Sequence, residues 1–80
     1  MSAEIYTWST CPFCIRATQL LEQRGIAYTE HVMDDRPEEL GRLKSRYGHP
    51  TVPIILLDDE FVGGYDELRA LDASGRLVTS

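Results

Sequence analysis

Two cysteines stand three positions apart in Cys11-Pro12-Phe13-Cys14, and the 80-residue chain has no others. Residues three apart on a helix share one face, so a helix opening at this stretch brings the sulfurs close enough to join. The unpaired N–H groups and positive dipole end of a helix N-terminus stabilise a thiolate placed there. In Cys-x-x-Cys motifs this lowers the thiol from the ~8.5 of free cysteine to roughly 3.5–7.5. Cys11, nearer the helix start, is therefore expected to be the exposed nucleophile, and Cys14, deeper in the first turn, the resolving thiol. Pro12 fixes φ between them, and Arg16, one turn on, adds positive potential near the sulfurs. This is the equipment for thiol–disulfide exchange: Cys11 attacks a disulfide sulfur to form a mixed disulfide, and either Cys14 or a small external thiol resolves it. The motif leaves both routes open.

Other chemistry has less support. A zinc site generally needs four ligands, and His31 and His49 stand far from the cysteines without paired spacing, so no metal is expected. A Cys-x-x-Cys bridge closes too small a loop to serve as a structural staple. The acids Asp34, Asp35, Asp58, Asp59 and Glu60 read as solvated turn formers, and neither they nor the histidines are assigned a catalytic role.

The elements that must position the thiols follow from the pattern around them. Glu4-Ile5-Tyr6-Thr7 reads as a strand, and Trp8-Ser9-Thr10 as the loop leading to the cysteines. Pro12 suits the first helical position, which puts Cys11 at the N-cap with its sulfur toward the free N–H groups. Ala17, Leu20 and Leu21 supply the buried stripe of this helix, and Gly25 ends it. Ile26 to Val32 reads as a second strand. Asp35 is the expected cap of a helix from Pro37 to Gly48, with Leu40, Leu43 and Tyr47 on its apolar face. Ile54-Ile55-Leu56-Leu57 is an unbroken apolar run, the signature of a strand covered on both faces. Asp58-Asp59 turns the chain into a returning strand, Glu60 to Gly63. A last helix, near Tyr65 to Ala73, carries Leu68 and Leu71 inward, and the tail after Gly75 is expected to fray. The order β-α-β-α-β-β-α requires a right-handed parallel crossover and a terminal hairpin. It predicts an α/β fold, a four-stranded mixed sheet flanked by helices.

Length and charge bound the rest. Eighty residues are expected to form one domain, residues 1–80. A net charge of −5 disfavours nonspecific binding to nucleic acid or anionic membrane, and no apolar run approaches the ~20 residues of a membrane helix. Met1-Ser2-Ala3-Glu4 lacks the basic and apolar regions of a signal peptide. A lone thiol pair suits a reducing compartment, so a cytoplasmic monomer is expected.

The chain resembles the glutaredoxins. The likeness rests on Tyr6-Thr7 leading to Cys11-Pro12-Phe13-Cys14, on Thr51-Val52-Pro53, on the Asp58-to-Val62 hairpin, and on Gly63-Gly64-Tyr65-Asp66, all in the family's order. It implies a thioredoxin-like fold, glutathione as reductant and cofactor, and a cis bond before Pro53. Glutathione would lie against Phe13, Thr51, Val52, Pro53, Gly64, Tyr65 and Asp66. The Val52 peptide would pair with an extended thiol peptide, the amides opening the last helix would hold the γ-glutamyl carboxylate, and Asp66 would face the ammonium group. The implied partners are glutathionylated or disulfide-containing proteins, with glutathione reductase acting indirectly. Two positions depart from the family pattern: Trp8 stands where a lysine is common, and Leu40 near a usual basic or amide side chain. Helical geometry is expected to turn Arg42 and Lys44 to other faces, leaving glutathione affinity weak. That opens an alternative, an electron donor served by thioredoxin reductase. A further alternative, a dimer bridging an iron–sulfur cluster through Cys11 and glutathione, is disfavoured by the stiffness of Pro12.

Overall fold

A computed structural model describes residues 1–77 as seven elements: β1 (Ser2–Thr7), α1 (Pro12–Gln23), β2 (Ala27–Val32), α2 (Pro37–Tyr47), β3 (Ile54–Leu57), β4 (Glu60–Gly63) and α3 (Tyr65–Ala73). The strands form one sheet in the order β2-β1-β3-β4. β1 pairs parallel with β2, the crossover being α1, and antiparallel with β3. β3 and β4 form a hairpin with a register shift between Ile55 and Leu56. Asp58 and Asp59 are its two turn residues, with φ of 48° and 68°, the positive-φ pair that matches the twist of tightly joined strands.

The sheet divides two apolar layers, which explains the unbroken β3 sequence. Successive strand residues face opposite sides. Ile55 and Leu57 join Ala3, Ile5, Ala17, Leu21 and Leu68 beneath α1 and α3. Ile54 and Leu56 pack with Met33 and Leu40 beneath α2. β3 is therefore buried at all four positions. No helix among the described residues is long and apolar enough to cross a membrane.

Three local expectations are corrected. β1 begins at Ser2 rather than Glu4 because the hairpin turn extends its pairing: the Ser2 N–H donates to Asp58 Oδ1 and the Asp58 N–H to the Ser2 carbonyl, each at 2.9 Å. The cap of α2 is Arg36, not Asp35, and it makes no side-chain capping bond; Pro37 at the first helical position needs none for its own nitrogen. The tail does not fray immediately after Gly75. The Arg76 N–H donates to the Leu71 carbonyl at 3.0 Å, and Leu77 is 1% exposed within the α1–α3 core. The remainder of the expected frayed tail, residues 78–80, lies outside the described residues.

Candidate active site

The thiols sit where the first strand hands the chain to the first helix. Cys11 is the N-cap of α1, with extended backbone (φ −141°, ψ 102°) and Pro12 directly after it. Its sulfur accepts a hydrogen bond from the Cys14 N–H at 3.3 Å, the contact a capping serine oxygen would make. The loop before it is tied down from the side. The Ser9 N–H donates to Asp34 Oδ1 at 2.9 Å, and the Ser9 hydroxyl binds the other carboxylate oxygen. These bonds hold the Asp34 carboxyl below its ordinary range. Below the loop, the Thr7 hydroxyl is buried and donates to Glu30 Oε2 at 2.9 Å.

The two free thiols are unequal. Cys14 is 2% exposed, and its thiol is pushed up to about 12. Burial is the main cause, followed by its hydrogen bond to the Cys11 side chain; the Trp8 backbone amide opposes the shift. Cys14 is thus a protonated reserve at neutral pH, and Cys11 is the sulfur that caps the helix, accepting from the Cys14 N–H. The expected exposure of Cys11 is corrected: it is only 7% exposed. It opens instead onto a cleft of about 490 Å³ that Cys14 does not line, so a substrate sulfur must enter the cleft to meet it.

The cleft gathers segments far apart in sequence. Phe13 joins Cys11 from α1, Thr51, Val52 and Pro53 come from the loop before β3, and Gly64, Tyr65 and Asp66 open α3. Every position that the resemblance assigned to ligand binding lines this one space. The Val52–Pro53 bond is cis, and among the described residues the Val52 peptide makes no backbone hydrogen bond. Phe13 and Tyr65 approach at 6.2 Å between ring centroids. Phe13 is 51% exposed, and the Arg16 guanidinium lies over its ring at 5.5 Å rather than free beside the sulfurs.

Three features escaped the sequence reading. His49 also lines the cleft. Its Nε2 lies 3.4 Å from the Thr51 hydroxyl and only 3.0 Å from where a Cβ on Gly64 would be. What glycine admits at position 64 is therefore this imidazole; the His-Pro step just before Thr51 was the available signal. At the start of α3, Glu67 Oε1 accepts from the Gly64 N–H at 3.3 Å. That leaves the Tyr65 and Asp66 amides, which have no intrahelical acceptor, to face a ligand. Finally, Lys44 is not turned away. Its Nζ sits 4.9 Å from the centroid of the Trp8 ring, whereas Leu40 is 3% exposed and belongs to the core.

A four-stranded mixed sheet between helices, with Cys-x-x-Cys opening the first helix against a cleft, defines a thiol–disulfide oxidoreductase of thioredoxin-like fold. Comparison with known proteins narrows the class. The glutaredoxin family model matches residues 3–62. A probable glutaredoxin of Synechocystis is 44% identical over 75 residues, covering 92% of this chain and 85% of the relative. Glutaredoxin 3 of Escherichia coli is 42% identical over 76 residues, covering 95% of this chain and 92% of its own. The solution structure of a dithiolic glutaredoxin from Trypanosoma brucei matches with a TM-score of 0.84 at 40% identity, over 94% of this chain and 80% of that one. The chain belongs to the glutaredoxin family.

Proposed function

We propose that this chain is a glutathione-dependent dithiol–disulfide oxidoreductase that reduces protein disulfides and glutathione mixed disulfides. It acts as a single glutaredoxin domain, monomeric and cytoplasmic. The observation that carries this reading is the inequality of the thiols: Cys11 caps α1 at the cleft, and Cys14 waits behind it, buried and protonated.

Cys11 attacks one sulfur of the substrate disulfide, forming a mixed disulfide as the other sulfur departs with the bonding electrons and takes a proton from solvent. Cys14 then gives its proton to solvent and attacks the Cys11 sulfur. The substrate's second sulfur leaves, and the Cys11–Cys14 disulfide remains. One glutathione thiolate opens that disulfide at Cys11. A second attacks the glutathione sulfur, freeing Cys11 and leaving glutathione disulfide for glutathione reductase. When the substrate is itself a glutathione mixed disulfide, external glutathione can resolve Cys11 directly.

In the cleft, the Val52 peptide offers a strand-like pairing edge to the cysteinyl residue of glutathione. The free amides of Tyr65 and Asp66 receive the γ-glutamyl carboxylate, and the Asp66 carboxylate faces the ammonium group. Phe13, Thr51, Pro53 and Gly64 shape the walls.

The test is steady-state reduction of a small glutathione mixed disulfide, with glutathione plus glutathione reductase set against thioredoxin reductase as electron source. Turnover through glutathione is expected. Turnover only through thioredoxin reductase would favour the alternative electron-donor role, for which the exposed Trp8 and buried Leu40 are the supporting observations.

A further inference from the structure

One proton lacks a path in the resolving step. Cys14 must lose it to attack Cys11, yet Cys14 is 2% exposed and does not line the cleft. The cleft is in any case occupied at that moment by the substrate half bonded to Cys11. Apart from the cysteines, one buried polar side chain stands among the described residues: Thr7, 0% exposed. Its hydroxyl donates to Glu30 Oε2 at 2.9 Å. Alternation along β1 sets Thr7 on the same face of the sheet as Ala3 and Ile5, beneath α1. Glu30 lies beside Ile5 in the parallel register and shares that face. Cys14 is one of the residues that α1 buries, with Ala17 and Leu21. The Cys14 thiol feels both ends of this corner: the Trp8 amide, next in the chain after Thr7, draws it down, and the Glu30 charge pushes it up. Glu30 itself is exposed, on the outer strand β2, and makes no ion pair among the described residues.

A buried hydroxyl bound to a solvent-facing carboxylate can pass a proton outward. With its own hydrogen committed to Glu30, the Thr7 oxygen keeps lone pairs with which to accept another. We propose that Glu30, through the Thr7 hydroxyl, receives the proton that Cys14 loses when it resolves the mixed disulfide. As the Cys14 sulfur bonds to the Cys11 sulfur, the substrate sulfur leaves with the electrons of the broken bond. The thiol proton passes to Thr7 Oγ1, the hydroxyl's former proton passes to Glu30 Oε2, and Glu30 releases it to solvent. A carboxylate is a far stronger base than water, and hydroxide is scarce at neutral pH, so a positioned acid anion shortens this step. Thr7 is the positioning residue, joining the buried sulfur to the exposed base. The other titratable group that feels the Glu30 charge is the Tyr28 phenol on the same strand; His31 faces the opposite side, stacked on Tyr6.

The inference rests on Cys14 as the resolving thiol, and the experiment separates the two claims. Reduced protein is mixed in a stopped-flow instrument with less than one equivalent of the coloured aryl disulfide dithiobis(nitrobenzoate). Attack by Cys11 releases one aryl thiolate in a bimolecular phase, and resolution by Cys14 releases the second in a unimolecular phase. The variants are Glu30→Gln, whose amide oxygen still accepts from Thr7; Thr7→Val, which keeps the shape and removes the hydroxyl; and Thr7→Ser, which keeps the hydroxyl. Relative to the first phase, the second is expected to slow about a hundredfold in Glu30→Gln and in Thr7→Val, the lower end of what a positioned proton acceptor contributes. Thr7→Ser is expected to resolve near the wild-type rate. The direction of the change distinguishes a relay from a bystander charge. The Glu30 charge disfavours the Cys14 thiolate, so as a bystander its removal would speed the second phase. Glu30 is exposed, so its variant carries the test even where the core rejects Thr7→Val. A second phase that is unchanged or faster in Glu30→Gln would overturn the inference, as would an unchanged one in folded Thr7→Val. Absence of the second phase in the wild type would instead overturn the resolving role of Cys14, and this inference with it.

Discussion

Raising the pH of the reduced protein from 8 to 10 should remove a definite amount of stability through Cys14, and replacing Cys14 by serine should abolish that loss. In the folded state the thiol is pushed up to about 12, mainly by burial, from an ordinary value of 9.0. In this window the unfolded chain releases the proton while the folded chain retains it. The unfolded state therefore binds fewer protons, and stability falls as pH rises. Between pH 8 and 10 the unfolded thiol goes from about one-tenth to about nine-tenths ionised, a tenfold change in the unfolding equilibrium, or about 1.4 kcal/mol. Tyr6 and Tyr28 are also pushed up, but they are common to both proteins and cancel in the difference. The assay is urea denaturation under a phosphine reductant at several pH values, comparing wild type with Cys14→Ser at constant m. The wild-type-minus-variant stability should decline by about 1.4 kcal/mol from pH 8 to 10. A difference that stays flat would refute the description of Cys14 as a buried thiol that holds its proton.

Further expectations concern the site and its support. Cys11→Ser should abolish exchange with every disulfide substrate. Cys14→Ser should retain reduction of glutathione mixed disulfides and lose most reduction of protein disulfides, as read by coupled turnover on each. Gly64→Ala places a methyl against the His49 imidazole and should raise KM for glutathione; the double variant with His49→Ala should recover most of that loss, and a failure to recover would show that His49 is not the obstacle. Leu77→Ala should cost about 2–5 kcal/mol in denaturation, as expected for a fully buried core leucine. A cost near zero would mean that the segment after Gly75 does not dock.

What could be read from the residues was largely what is local. Pro12 after Cys11, the i,i+3 stripe of α1 and the turn residues Gly25 and Asp58-Asp59 each impose their structure within a few positions, and the elements formed where those signals lie. The four apolar residues of β3 announced a strand covered on both faces, since no half-exposed strand tolerates that pattern. The expectations that failed depended on distant parts of the chain. Cys11 is buried because the segment around Pro53 and the start of α3, about 40 to 55 positions away, build the walls of its cleft. Lys44 reaches Trp8 because the loop between β2 and α2, tied to Ser9 through Asp34, sets where the helix lies; a helical wheel of α2 alone contains no such information. Leu77 reads as tail because its partners are on α1, α3 and the sheet. The ligand-facing positions came from the family likeness, and His49, which that likeness did not cover, was found only in the folded chain.

The account turns on one sulfur meeting substrate while its neighbour is held back. The direct measurement is to treat the reduced protein at pH 7 with less than one equivalent of iodoacetamide, or of glutathione disulfide, and to map the modified cysteine by peptide mass spectrometry. The adduct should be found on Cys11, with Cys14 entering only into a bond with Cys11. Primary modification of Cys14, or an even distribution between the two, would contradict the account.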